Sequence, residues 1–145
     1  MRKWWLPTLL AMMLLGLSYI LSKHSYLLFH SLVELLSATV SITVFSIGWQ
    51  ARPFRGNQML VVAAVGFLFV GILDSLHALA YRGMGVFATE SANLATQLWV
   101  ASRYTEALTL VAAVTVTPKR ERLSENRLLA GFGLFSAALI LAIMA

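Results

Sequence analysis

The chain contains no cysteine, three prolines and only six acidic residues among its 145 positions. Without cysteine there is no disulfide framework, no thiolate metal site and no thiol nucleophile, and cysteine usage gives no clue to the redox compartment. Charge is scarce as well. Asp, Glu, Lys and Arg make up 12% of the residues and hydrophobic types 59%, against about 25% and 45–50% in soluble domains. A soluble fold with so little charge would lack the polar groups to cover its surface. No nucleophile–base pair, phosphate-binding loop or glycine-rich cofactor turn is present, so the chain reads as a non-enzyme. The net charge of +5 invites comparison with nucleic-acid binders, but no basic face or base-stacking motif accompanies it.

What the chain has instead is five apolar runs, Trp4–Leu21, Tyr26–Trp49, Gln58–Tyr81, Ala95–Val116 and Leu128–Ala145. Each is long enough, at about 1.5 Å per helical residue, to cross a hydrocarbon layer of about 30 Å. Aromatic residues suited to a lipid–water boundary mark several ends: Trp4, Trp5, Tyr26, Trp49, Tyr81 and Trp99. The expected fold is all-α, an integral membrane bundle of about five transmembrane helices forming a single domain over residues 1–145.

The basic residues orient this bundle. Arg2, Lys3, Arg52, Arg55, Lys119, Arg120, Arg122 and Arg127 fall on one side, eight in all, against Lys23 and Arg82 on the other. By the positive-inside rule the N-terminus is cytoplasmic and the protein is a multi-pass component of the inner (plasma) membrane. A signal peptide cut near Ser18 is the alternative for the first run, although no A-x-A site follows it.

Six ionisable residues lie inside the runs: His30 and Glu34, Asp74 and His77, Arg103 and Glu106. Each costs at least about 2.5–3.5 kcal/mol to insert, which makes them functional candidates. Within each pair the spacing is i,i+4 or i,i+3, so both members share a helical face. Ser37 and Ser41 continue the first stripe, and Trp99 lies one turn before Arg103, with Gln97 about a third of a turn away. All six are expected about 6–16 Å in from the outer surface. If the three helices are neighbours, these residues line one outward-facing polar pocket. The competing expectation is a purely structural network in which Arg103 neutralises Glu106, Asp74 or Glu34, with Ser37 and Ser41 as small packing residues. The loop from Arg82 to Leu94 lies where a lid would lie. Gly83 and Gly85 permit tight turns there, and Ser91 or Asn93 would cap the following helix.

Several ligands suit this set. His30, Glu34 and His77, with Asp74 and Glu106 nearby, are N/O donors for a divalent transition metal such as zinc, copper, nickel or iron. His30 and His77 would also serve as axial ligands to haem, in a redox subunit, or the acidic residues would relay ions or protons in a transporter. An organic anion or quinone held by Arg103 and stacked on Trp99 is a third option.

The segments YLLFHSLVELLS (26–37), FLFVGILDSLHALAYRGMGVF (67–87) and NLATQLWVASRYTEALTL (93–110) carry the patterns F-H-x3-E, D-x2-H-x-L-A-Y-x-G-M-G-V-F and T-Q-L-W-x-A-x-R-Y-x-E. In these the chain resembles the third class of the membrane-associated sensor (MASE) domains of bacteria and archaea. The resemblance implies an N-terminal sensory domain that perceives a signal rather than catalysing a reaction. It implies a cytoplasmic histidine kinase, diguanylate cyclase or phosphodiesterase module as partner, in cis or in trans, with the bilayer and a second copy of the chain as further partners. Members typically continue through further helices, so a chain stopping after the fifth run is expected to be a fragment or a solitary sensor.

Overall fold

The computed structural model describes residues 5–53, 58–88, 92–116 and 124–145. Every regular element among them is helical: α1 (Trp5–His24), α2 (Tyr26–Gln50), α3 (Gln58–Ala80), α4 (Ala92–Val116) and α5 (Glu125–Met144). Four of these, α1, α2, α3 and α5, are long and apolar enough to cross a membrane. The fourth helix has the length but is less apolar, for a reason that its packing makes plain below. The fold is an all-α membrane bundle. Arg2, Lys3, Trp4, Arg55, Ser91, Lys119, Arg120 and Arg122 lie outside the described residues.

The chain divides into two compact units, Met1–Val33 and Glu34–Ala145. The first holds α1 and the opening turns of α2. Ser25 separates the two helices and caps α2: its Oγ accepts the Leu28 amide at 3.3 Å, the bond an N-cap serine makes to the third helical residue. The Ser25 amide in turn donates to Leu21 O, closing the last turn of α1. Tyr26 stacks on His30 one turn along, with ring centroids 6.2 Å apart.

The second unit is built around α3. Glycine and alanine let its neighbours approach closely. A β-carbon on Gly48 of α2 would sit 2.5 Å from Ala64 Cβ, and one on Gly71 would sit 3.2 Å from Ser41 Cβ. These contacts, with one between Ser37 and Asp74, place α2 antiparallel to α3. On the other side a β-carbon on Gly66 would overlap the Thr109 side chain of α4. The helices α3 and α4 share an extensive interface, and α5 packs against both. Phe69 of α3 stacks on Phe132 of α5, and Leu73, Ala80, Ala95 and Leu98 form a buried cluster completed by Ile140 and Ile143.

The distribution of polarity is the reverse of a soluble protein's. Asp74, Ser102, Thr105 and Thr109 are fully buried, while Leu15, Leu134 and Leu141 are 70% exposed or more. Such an apolar exterior around a polar interior fits a hydrocarbon solvent. The two buried threonine hydroxyls are bonded within their own helix: Thr105 Oγ1 donates to Ala101 O and Thr109 Oγ1 to Thr105 O. Ala101, Thr105, Thr109 and Ala113 recur every fourth residue as buried small residues along α4, the pattern that lets membrane helices pack closely without a hydrophobic driving force.

Candidate functional site

The register of α2 against α3 carries a polar ladder with it. Gly48 meets Ala64, Ser41 meets Gly71 and Ser37 meets Asp74. One turn further along, Glu34 Oε1 lies 3.7 Å from His77 Nε2. The packing of α4 on the opposite side of α3 then brings Ser102 and Arg103 to the same Asp74 carboxylate.

Asp74 is the centre of this arrangement. Its carboxylate is fully buried, which in a low-dielectric interior is tolerable only with strong compensation. That compensation comes from two flanking helices. Arg103 Nη2 donates to Oδ1 at 2.6 Å and to Oδ2 at 2.7 Å. Ser102 Oγ donates to Oδ1 at 2.6 Å, and Ser37 Oγ to Oδ2 at 3.0 Å. Arg103 is shared: its Nη1 donates to Glu106 Oε2 at 2.6 Å, one turn along the same helix. Its Nε is a buried donor with no acceptor among the described residues.

His77 is held from its other side. Its Nδ1 lies 2.7 Å from Ala95 O, an acceptor, so Nδ1 carries the proton in that bond and Nε2 is the nitrogen turned toward Glu34. Fixing one ring nitrogen on a backbone carbonyl is how proteins orient an imidazole whose other nitrogen binds a metal or a proton. The separation of 3.7 Å is longer than a hydrogen bond but suits two donors that share one bound atom.

A model of a membrane-associated sensor domain, MASE3, matches residues 21–145. The chain belongs to this family. No curated protein and no solved structure matches the chain. The match covers α2 through α5, and therefore the whole polar ladder of the sensor domain.

Within the second unit the sensor domain joins Asp74, Arg103 and Glu106 in one network and sets Glu34 beside His77. Among the pairings open to Arg103, those to Asp74 and Glu106 are the ones formed. His30 lies in the first unit, one turn before Glu34 along α2. Two expected members stand apart from the network. Gln97 is exposed and donates to Asn93 Oδ1 on its own helix, and Trp99 is 46% exposed. The buried positions of α4 are 95, 98, 101, 102, 105, 109 and 113: Gln97 lies outside them, on the side away from Arg103, whereas Trp99 lies at their edge on the Arg103 side and is set apart by its exposure rather than by its phase. Asn93, one of the two residues expected to cap this helix, falls inside its first turn, which starts at Ala92. Gly83 and Gly85 adopt positive φ angles of 97° and 69°, the tight-turn conformation expected of them. A concavity of about 410 Å³ opens against this loop, beside Tyr81, Arg82 and Phe87.

Sequence reasoning missed Ser102 altogether and gave Ser37 the duller role. Serine is common in membrane helices as a small packing residue, so composition gives it no weight. One signal was available: Ser102 adjoins Arg103, and Ser37 extends the His30 and Glu34 face by one turn. Ser41 remains what the spacing implied, a small residue at a close helix crossing.

Proposed function

We infer that this chain is a membrane-embedded sensory domain whose ligand centre is the polar ladder of α2, α3 and α4. Its ligand is a divalent transition metal ion taken up at Glu34 and His77, and its output passes to a cytoplasmic histidine kinase or diguanylate cyclase, in two-component or cyclic-di-GMP signalling. The membrane is the inner membrane, with the N-terminus and the basic loops on the cytoplasmic side.

One observation carries this reading: the buried Asp74 carboxylate is held at once by α2, through Ser37, and by α4, through Ser102 and Arg103. A change on either neighbouring helix therefore alters the partners of a charge that cannot be left unpaired, so the helices respond together rather than singly. The charge balance favours a cation. Glu34, Asp74 and Glu106 are three carboxylates served by one guanidinium, and Asp74 and Glu106 already share it. Glu34 and His77 offer a carboxylate oxygen and an imidazole nitrogen, donors that zinc, copper, nickel and iron accept. A cation between Glu34 and His77 would draw α2 toward α3 at this end of the ladder, next to the bond between Ser37 and Asp74.

Elemental analysis of the purified protein after zinc loading and exhaustive dialysis tests the ligand. About one equivalent is expected in the wild type, with loss in His77→Ala and Glu34→Gln and retention in Ser41→Ala. His30→Ala, measured beside them, tests the sequence expectation that His30 is also a donor. Equal metal in the wild type and in the His77 and Glu34 variants would remove the metal reading while leaving the family assignment in place.

A further inference from the structure

A second feature of the α3–α5 unit has nothing to do with the polar ladder. Leu108 and Ala112 of α4 and Gly131, Phe132 and Phe135 of α5 line an apolar groove of about 370 Å³, with Arg127 at its edge. The wall is fixed, since Phe132 is stacked on Phe69 of α3 at 6.4 Å between centroids. The floor is open at Gly131, where an added β-carbon would meet nothing within 4 Å. From Arg127 to Phe135 the groove follows α5 for about 12 Å.

The two ends of this groove differ in chemistry. Its body is hydrocarbon-lined and opens on a membrane-exposed face where Leu134 is 73% exposed. Its mouth lies in the first turn of α5, at the end of a segment that carries Lys119, Arg120, Arg122 and Arg127 against Glu121 and Glu125. Glu125 is itself 4.0 Å from Arg52. An occupant therefore needs an apolar tail and an anionic head. A second copy of the chain packed symmetrically here would bring Arg127 toward Arg127, which like charges oppose. A free anion would leave the apolar body unused.

We propose that the groove between α4 and α5 seats an acyl chain of an anionic phospholipid whose phosphate is held by Arg127. Basic sites at the cytoplasmic ends of helix pairs are suited to such headgroups, which the negative cytoplasmic leaflet supplies. The site does not depend on the metal reading above.

The probe is native mass spectrometry of the detergent-purified chain supplied with equal amounts of phosphatidylglycerol and phosphatidylcholine. The wild type retains phosphatidylglycerol at least about fivefold more than phosphatidylcholine, a ratio worth about 1 kcal/mol. Arg127→Gln brings the ratio near one, and Arg127→Lys restores most of it. Gly131→Leu fills the groove and lowers retention of both lipids, whereas Gly16→Leu on α1, where a β-carbon also meets open space, changes neither. Helical circular dichroism confirms that each variant is folded. Equal retention of the two lipids by the wild type overturns the proposal, as does a preference that survives Arg127→Gln. So does a lipid-free dimer that Gly131→Leu dissociates, since that result assigns the groove to a second copy.

Discussion

Replacing Asp74 by alanine tests whether the polar ladder holds the helices together or merely occupies their interface. The carboxylate accepts two bonds from Arg103, one from Ser102 and one from Ser37. Hydrogen bonds between membrane helices average about 0.6 kcal/mol and reach about 1.7 kcal/mol. Four such bonds, two of them between full charges, give about 2–4 kcal/mol for the whole set. The upper figure for breaking a buried ion pair, about 5 kcal/mol, does not apply, because the Arg103 side chain is 37% exposed and keeps Glu106 as a partner. Reversible unfolding in mixed micelles, followed by far-ultraviolet circular dichroism, reads the loss. Asp74→Asn, which keeps the shape and one acceptor, is expected to lose less than Asp74→Ala. A double-mutant cycle with Arg103→Met should give a coupling of at least about 1 kcal/mol. A loss below about 0.5 kcal/mol for Asp74→Ala, or zero coupling to Arg103, would refute the reasoning and leave the cluster a passive one.

Three further outcomes are expected. Ser102→Ala should cost about 0.5–1.5 kcal/mol in the same assay, and Ser37→Ala less, because its bond to Asp74 is longer at 3.0 Å against 2.6 Å; a reversed order would count against the geometry of the carboxylate. Gly66→Ala should destabilise by about 1–3 kcal/mol through its clash with Thr109, whereas Gly131→Ala should be neutral within about 0.5 kcal/mol; thermal midpoints of the two proteins, compared side by side, decide this. Reporter fusions after Arg55 and after Arg127 should be cytoplasmic and one after Gly85 external, and the opposite pattern would place the Glu34 and His77 end of the ladder in the cytoplasmic half.

The helices were legible because a hydrocarbon solvent imposes length and apolarity, and both are written locally in the chain. Their ends were less so. The first helix runs on through Ser22, Lys23 and His24 to the Ser25 cap, and α5 begins at Glu125 rather than Leu128, since polar residues at a boundary continue a helix as readily as they end it. The titratable residues announced themselves through the cost of inserting them, and spacing alone put each pair on one face. What spacing did not supply was how the helices are set against one another. That setting depends on Gly48, Gly66 and Gly71, whose importance lies in what a β-carbon would touch on a different helix. Without it, Ser102 looked like one small residue among many, and Trp99, sharing the Arg103 stripe, looked closer to the centre than its exposure allows.

The fourth helix shows how averaging over a segment hides this logic. By composition it is the one helix that falls short of the apolarity of a membrane span, yet its outward positions Val100, Leu108, Leu110, Val111 and Val114 are apolar and exposed. Among the polar residues that lower its mean, Ser102, Thr105 and Thr109 are fully buried, and the charged ones, Arg103 and Glu106, are paired with each other, Arg103 also with Asp74. Lipid meets only the outward face, so the mean over both faces understates how well the helix suits a bilayer. At 25 residues it extends about 37 Å, enough for the hydrocarbon layer. The same separation of faces is what a sensor of this construction needs: an apolar exterior free to slide in lipid, and an interior contact whose charges permit only discrete arrangements.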